Sequence, residues 1–210
     1  CLDANPNVAL LGSQVEWLDA VGRLVRRFDY PLTHEASAAQ LREKNSFAHG
    51  SVMFRREVAE AVGLYREPFR LAQDYDLWLR LCEHAQAANV PDVLYRMRFS
   101  PGMASLRRNT EQNAYAALAR QLATERCEQG AESTDLEAAA QAIRERFARM
   151  PALARRRAEA ANYAAWADRL TWWGGDAARQ AWPVWALGMR RWPFTVALWK
   201  HAARRLLRRR

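Results

Sequence analysis

The hydrophobic and polar positions of the chain follow two different periods. Up to residue 99, short apolar runs alternate with polar turns, and this pattern predicts strands over residues 8–18, 23–28, 51–54 and 89–99. Beyond residue 108, Ala-rich stretches with a period of 3.6 predict helices over residues 109–127, 135–150, 153–173, 176–190 and 195–209. The sequence therefore predicts an α/β region over residues 1–108 and an all-α region over residues 109–210.

The first region also contains three predicted helices. Thr33 is a suitable N-cap for a helix through residue 44, and a helix beginning at residues 55–57 meets a glycine suited to a C′ position, Gly63. Pro91 lacks an N–H group, so we expect it at the beginning of an edge strand. Each of these elements lies close in sequence to the third helix.

That third helix begins in the stretch LAQDYDLWLRL, residues 71–81. Leu77, Trp78 and Leu81 recur at helical spacing and predict one buried face. Asp74 is predicted as the N-cap, and Asp76 falls in the first turn, where negative charge favours the helix dipole. From this pattern alone, Asp74 is either a helix cap or a functional carboxylate, and Asp76 is a structural acid.

The basic charge of the chain is concentrated in its second part. The sequence holds 32 Lys and Arg against 23 Asp and Glu, and residues 144–210 alone hold 16 basic and 4 acidic side chains. Residues 190–210 have no acid and interleave eight Lys or Arg with Trp and Leu. This composition is typical of contact with an anionic membrane surface, with a solvated helical face as the alternative. Nucleic-acid binding is not expected, because no helix-turn-helix, zinc or RNA-binding signature is present.

The three cysteines, Cys1, Cys82 and Cys127, are far apart and show no C-x-x-C spacing. Neither a disulfide framework nor a zinc site is indicated, and a reducing cytoplasm is the expected location, with peripheral contact at the inner face of the membrane. No apolar run reaches the length of a membrane span, and the sequence begins with neither a signal peptide nor a methionine. We therefore expect the chain to be a fragment of a longer protein.

Four motifs follow one another along the chain: HGSVMFRREV at residue 49, GLYREPF at 63, AQDYDLWLRL at 72 and VPDVLYRMR at 90. In this order they resemble the acceptor-side half of a family 2 glycosyltransferase with the GT-A fold. The resemblance implies an inverting enzyme that moves a sugar from a nucleotide-sugar donor to a saccharide or lipid-linked acceptor. It also implies that Asp74 is the general base that deprotonates the acceptor hydroxyl.

The resemblance extends to several candidate substrate-binding residues. His49 and Gly50 are candidates for the acceptor pocket, although His49 can equally be a structural histidine bonded to a backbone carbonyl. Gln73 stands where the family usually has Glu, and Arg98 stands where many members have a metal-ligating His. A guanidinium cannot bind a cation but binds diphosphate bidentately, so Arg96 and Arg98 are assigned to substrate.

The family's nucleotide-binding half and its acidic metal motif have no counterpart in this sequence. The resemblance therefore implies a divalent metal, Mg or Mn, whose main ligands lie outside this chain, and no residue is assigned to it. The chain alone is expected to be inactive, and the whole enzyme is expected to act in cell-envelope polysaccharide biosynthesis. The alternative is a non-catalytic helical interaction module that carries a degenerate transferase remnant.

In the helical region, the pattern around Gly174-Gly175-Asp176 resembles one tetratricopeptide unit and part of a next one. Seven of the nine tryptophans fall in this region, at positions 166, 172, 173, 182, 185, 192 and 199. They belong either to a core or to an amphipathic surface on which they alternate with arginine.

Overall fold

The computed structural model describes residues 2–207, and for Ala104 and residues 203–207 it describes the backbone only. The expectations that concern Cys1, the side chains of Arg204 and Arg205, and residues 208–210 therefore lie outside the described part of the chain. The elements, in chain order, are β1 (Val8–Leu18), β2 (Leu24–Phe28), α1 (His34–Leu41), a 3-10 turn (His49–Ser51), β3 (Met53–Phe54), α2 (Arg56–Ala61), α3 (Gln73–His84), β4 (Gln86–Arg98), α4 (Ala104–Arg107), α5 (Asn109–Gln129), α6 (Leu136–Ala148), α7 (Ala152–Trp173), α8 (Gly175–Arg191) and α9 (Val196–Leu207).

The sheet is built around β1, with which β2, β3 and β4 all pair. Strand β3 runs antiparallel to β1, with Leu10 opposite Phe54 and Leu11 opposite Met53. Gly12 of β1 is enclosed so tightly that a Cβ atom there would lie 2.2 Å from the Asn89 side-chain oxygen and 2.9 Å from the Phe47 ring. A larger residue at Gly12 would therefore displace buried neighbours.

Two buried amides tie this sheet to the loops beside it. The side-chain nitrogen of Gln14 donates to the carbonyl of Tyr30 at 3.1 Å, and its oxygen accepts from the Tyr30 N–H. The side-chain nitrogen of Asn89 donates to the carbonyls of Pro31 at 2.8 Å and Ser46 at 3.3 Å. Because unpaired polar groups are costly inside a protein, these bonds fix where the loops leave the sheet.

The chain forms two compact units made of interleaved segments. The first contains the chain up to Glu16, Arg27–Met97 and Gln112–Glu145, and the second contains Trp17–Arg26, Arg98–Glu111 and the chain from Arg146 onward. The predicted division of the chain at residue 108 stays a prediction. Helices follow the strand-rich part of the chain, as the change of hydrophobic period predicts.

The core of the first unit surrounds α3. Leu77, Trp78 and Leu81 are at most 1% exposed, which confirms the predicted apolar face of this helix. They belong to one cluster with residues from β1, the loop before His49 and α5, including Leu10, Phe47, Tyr115 and Leu122. Burying a side chain such as that of Trp78 contributes about 2–3 kcal/mol, so this cluster fixes α3 firmly.

The second unit has a separate core formed mainly by α7 and α8. Tyr163, Trp166 and Leu170 of α7 pack in one cluster with Ala177 and Val184 of α8. The cluster also contains the small residues Ala167 and Ala181, which let these two helices approach closely. The prediction of both helices is confirmed to within one residue at each end, whereas the tetratricopeptide resemblance stays a prediction.

Some boundaries differ from the prediction. The N-cap of α3 is Ala72, with φ 57°, so Asp74 lies inside the first turn and the prediction of Asp74 as the cap is wrong. Helix α1 ends at Leu41, three residues before its predicted end, although the Thr33 cap is confirmed by the bond from the Ala36 N–H. Gly63 has φ 86°, which confirms its position after α2.

The strand predictions fail at two places for tertiary reasons. Strand β4 begins at Gln86, where the N–H of Gln86 donates to the carbonyl of Asn7 at 3.1 Å, so Pro91 lies inside the strand. The predicted buried strand over residues 51–54 is extended only at Met53–Phe54, and Met53 is 64% exposed. A 3-10 turn occupies residues 49–51 instead, and this turn carries His49.

Candidate active site

Asp74 lies in the first turn of α3 with a half-buried carboxylate. Its Oδ1 accepts a hydrogen bond from the Tyr75 N–H at 2.8 Å, and its Oδ2 accepts a weaker one from the Asn45 amide at 3.5 Å. Burial raises the pKa of Asp74 above its ordinary value, and the hydrogen bonds and the charge of His49 oppose this rise. The result is a carboxylate that binds a proton more readily than an exposed one does.

His49 is exposed on the 3-10 turn and belongs to a small aromatic group. Its Nε2 lies 3.2 Å from the Tyr65 hydroxyl, and its ring stacks on Trp78 with the ring centroids 6.3 Å apart. Trp78 is fully buried, so it supplies a fixed wall for the imidazole. The hydrogen bond runs to a side-chain hydroxyl and not to a backbone carbonyl, which was the expected partner of a structural histidine.

Two tyrosines are within electrostatic reach of Asp74. Burial and the negative charge of Asp74 raise the pKa of Tyr30 to about 12, and the same two causes raise the pKa of Tyr65. Both phenols are therefore protonated at neutral pH and able to donate a hydrogen bond. Asn45 therefore contacts Asp74, and Tyr30 and Tyr65 lie within reach of its charge. The sequence indicated no role for these three residues.

Gly50 follows His49 and lies against Tyr95 of β4. A Cβ atom at Gly50 would be 2.4 Å from the Tyr95 ring and hydroxyl. Glycine is therefore required here to make room for the Tyr95 side chain. The expectation that Gly50 admits a ligand stays a prediction. Tyr95 becomes a further side chain at this end of the site.

The other candidate residues are placed less closely. Gln73 is exposed as the first residue of α3, next to Asp74. Arg96 forms an ion pair with Glu16, with the Arg96 Nε 2.8 Å from Oε2. Arg98 is exposed at the end of β4 and belongs to the second compact unit. Of these three residues, Gln73 lies next to Asp74 in the chain, and Arg96 is already paired with a carboxylate.

Asp76, two residues after Asp74, is completely buried and has a different environment. It pairs with two guanidiniums, with the Arg66 Nε at 3.0 Å and the Arg80 Nη2 at 2.8 Å from Oδ2. The Arg80 Nη2 also donates to the carbonyl of Leu64 at 2.6 Å, the residue before Tyr65. Asp76 therefore holds the loop that carries Tyr65 against α3, in agreement with its interpretation as a structural acid.

Metal ligation within the chain has no support in the described residues. In residues 2–207, no group of three or more His, Cys, Asp or Glu side chains is arranged to hold a metal ion. The expectation of a Mg or Mn ion held mainly by ligands outside this chain stays a prediction.

Replacing Asp74 by Asn is expected to stabilise the folded chain at neutral pH by about 0.5–1 kcal/mol. The pKa of Asp74 is raised on folding, so its contribution to stability is fully present below the unfolded pKa and is lost as pH rises through the folded pKa. At neutral pH the buried carboxylate therefore destabilises the protein, and Asn removes that charge while keeping an oxygen for the Tyr75 N–H.

Urea unfolding at neutral pH and at pH values below the ordinary carboxyl pKa measures this effect. The gain should disappear in acid, and Asp92→Asn, which changes an exposed acid of β4, should alter stability at neither pH. A loss of stability at neutral pH on Asp74→Asn would contradict the raised pKa.

Comparison with known proteins supports a relationship to glycosyltransferases of polysaccharide biosynthesis. The chain is 33% identical over 108 residues to the amylovoran biosynthesis glycosyltransferase AmsE of Erwinia amylovora, covering 51% of this chain and 40% of the relative. It is 28% identical over 95 residues to the O-antigen biosynthesis glycosyltransferase WbnJ of Escherichia coli, covering 44% and 37%. The chain thus spans about two fifths of the length of these relatives. No protein-family model matches it.

These relatives confirm the resemblance at the level of glycosyltransferases in general. Assignment to family 2, the GT-A fold and the inverting mechanism stay predictions. Within the described part of the chain, no helix is both long enough and apolar enough to cross a membrane.

Proposed function

We propose that this chain forms the acceptor-side part of an inverting glycosyltransferase in which Asp74 is the general base. The observation that carries the proposal is the environment of Asp74, a half-buried carboxylate with a raised pKa at the start of a helix, within electrostatic reach of His49 and Tyr65. The sequence relationship to two glycosyltransferases supports the reaction class. Catalytic bases are commonly found where burial shifts a pKa in this way.

The proposed reaction is a single displacement. An acceptor hydroxyl attacks the anomeric carbon of the nucleotide sugar, a new C–O bond forms, and the bond to the nucleoside diphosphate breaks on the opposite face. Asp74 takes the proton of the hydroxyl, and the departing diphosphate keeps the electron pair of the bond that breaks. Attack from the face opposite the leaving group inverts the anomeric centre.

The two oxygens of Asp74 are suited to different tasks. Oδ1 is held by the Tyr75 N–H at 2.8 Å, which fixes the orientation of the carboxylate. The hydrogen bond from the Asn45 amide to Oδ2 is long, at 3.5 Å, so we assign the proton transfer to Oδ2. A base of raised pKa is better matched to proton transfer near neutral pH than an ordinary aspartate.

His49, Gly50 and Gln73 are proposed to form the acceptor wall. His49 is exposed and its ring is held by Tyr65 and Trp78, so it offers an oriented donor or acceptor next to Asp74. Tyr65 adds a protonated hydroxyl. We further propose that the partner of this wall is a saccharide or lipid-linked acceptor, because the two relatives are named for amylovoran and O-antigen biosynthesis.

The donor side is proposed to depend on groups outside the described residues. Arg98, and Arg96 if its ion pair with Glu16 opens, are the cations of this chain proposed for the donor diphosphate. A Mg or Mn ion would neutralise charge on the departing diphosphate, and the described residues do not form a site for it. We propose a cytoplasmic enzyme that works at the inner face of the membrane.

The experiment that tests this function measures nucleoside diphosphate release from a panel of nucleotide sugars by the complete gene product. Release that depends on an added saccharide or lipid-linked acceptor, and on Mg or Mn, is the expected result. Binding of donor with no release for any acceptor, together with capture of another protein, would favour the non-catalytic interaction module instead.

A further inference from the structure

The second unit exposes several large apolar side chains near the end of the described chain. Trp182 is 51% exposed, Phe194 75%, Val196 65% and Trp199 55%. One exposed apolar residue is ordinary on a protein surface. Four such residues on α8, the following turn and the start of α9 indicate an interaction surface.

Contacts among the rings and the backbone join these residues into one surface. The Trp182 and Trp185 rings stack with centroids 4.4 Å apart, and the Trp185 Nε1 donates to the carbonyl of Leu198 in α9 at 2.8 Å. The Trp199 Nε1 donates to the carbonyl of Pro193 at 2.6 Å, and Phe194 packs on Trp192 with centroids 5.4 Å apart. We call this surface the aromatic patch, formed by Trp182, Trp185, Trp192, Phe194 and Trp199 together with the exposed Val196.

The exposure of the patch does not result from a missing interior contact. Helix α9 already buries one face, on which Leu198 is 0% and His201 2% exposed. The His201 Nδ1 lies 2.6 Å from the Asp168 carboxylate of α7 and anchors that face. Trp185 and Trp192 pack against Leu198 on this face, whereas Trp182, Phe194 and Trp199 stay exposed.

The charge around the patch is mainly positive, although Glu159 of α7 forms an ion pair with Arg191, with its Oε2 3.1 Å from the Arg191 Nε. The sequence contains no Asp or Glu from residue 177 to residue 210. Arg190 and Lys200 are exposed close to the patch in sequence, and the guanidinium carbon of Arg157 lies 4.9 Å from the centre of the Trp192 ring. Aromatic rings with an excess of cations are complementary to an apolar layer with a negative surface.

We propose that the aromatic patch and its cations bind the surface of an anionic lipid bilayer. Trp and Phe are stable at the boundary between headgroups and acyl chains, and each cation held near anionic headgroups strengthens binding about fivefold. The proposed contact lies at the membrane surface, where rings and cations of this kind meet the headgroups. The sequence indicated the terminal arginines, whereas the structure places the apolar anchor on Trp182, Phe194 and Trp199. The proposal does not depend on glycosyl transfer.

Co-sedimentation of the 210-residue chain with vesicles tests the proposal. We expect binding to vesicles of equal parts phosphatidylcholine and phosphatidylglycerol, weaker binding as salt increases, and little binding to pure phosphatidylcholine. The triple variant Trp182→Ala, Phe194→Ala, Trp199→Ala should lower the partition coefficient about a hundredfold. Trp172→Ala is the matched control, because Trp172 is 78% exposed on α7 and lies outside the patch, and it should change binding less than about twofold.

The melting temperature and far-UV circular dichroism of each variant show whether it folds. If the triple variant does not fold, the double variant Phe194→Ala, Val196→Ala replaces it. The double variant removes no indole hydrogen bond and should weaken binding about tenfold. Equal sedimentation of wild type and the folded variants would overturn the proposal. So would tighter binding to single-stranded DNA at matched salt, or a dimer without lipid that the patch variants abolish, since these results identify a nucleic acid or a second copy as the partner.

Discussion

Replacing Asp74 by Asn in the complete gene product is expected to lower turnover by about 10²–10⁴-fold. The side chain keeps its size and an oxygen for the Tyr75 N–H, but it can no longer accept the proton of the acceptor hydroxyl. Donor affinity should be nearly unchanged, because the acceptor side supplies the base. Initial rates of nucleoside diphosphate release, with donor binding measured separately, give both quantities.

Gln73→Ala is the neighbouring control for this measurement. Gln73 is exposed next to Asp74 and is assigned to substrate contact without proton transfer, so its loss should raise KM more than it lowers kcat. Wild-type turnover by Asp74→Asn would refute the assignment of the base. A parallel loss of donor affinity would place Asp74 on the donor side.

Replacing Asp76 by Asn is expected to reduce the free energy of unfolding by about 3–5 kcal/mol, the range for breaking a buried ion pair. Asp76 is 0% exposed and shares its carboxylate between Arg66 and Arg80. Asn leaves the side chain of Arg80, which is itself buried, without a counter-charge. The ion pairs of Arg66 with Glu132 at 2.8 Å would also lose their anchor on α3.

Urea unfolding of the 210-residue chain measures this effect, with Asp92→Asn as the exposed control. The Asp76 variant should unfold at a clearly lower urea concentration than wild type, and the control should unfold with wild type. A variant of wild-type stability would show that the ion pairs around Asp76 do not hold α3. If such a variant also lacked turnover while Asp74→Asn retained it, the roles of the two acids would be exchanged.

Several helices of the second part of the chain were predicted closely from sequence, for a local reason. Segment 153–173 was predicted and α7 runs over Ala152–Trp173, because Ala-rich sequence favours helix and Gly174 ends it. The long strand β1 was also predicted at its observed bounds, since an apolar run and two turns define it. In both cases the signal lies within the element itself.

The surroundings of Asp74 were predicted only in part. Asn45 and Tyr65 come to Asp74 from loops 29 and 9 residues away along the chain, and Tyr30 is placed by its bonds to Gln14. Such contacts depend on how the loops cross the ends of the sheet. The spacing of hydrophobic residues within one element does not predict these loop paths. The one available signal was Tyr65, inside the GLYREPF motif, which carried the resemblance but was given no role.

Arg55 shows the same limit. A pair of cations at the start of a helix, such as Arg55 and Arg56 at α2, is usually solvated. Instead the Arg55 guanidinium donates to the carbonyls of Val8 at 2.9 Å and Leu2 at 2.7 Å. It satisfies one backbone oxygen of the turn before β1 and that of the first residue of β1, a role set by tertiary structure.

The pH dependence of turnover tests the assignment of Asp74 as the base most directly. A base must be ionised to act, so kcat of the wild type should fall as pH is lowered through the pKa of Asp74, which burial raises above its ordinary value of about 3.9. In Asp74→Asn, the residual turnover should lose this acid limb. A wild-type acid limb that persists unchanged in Asp74→Asn would contradict the account.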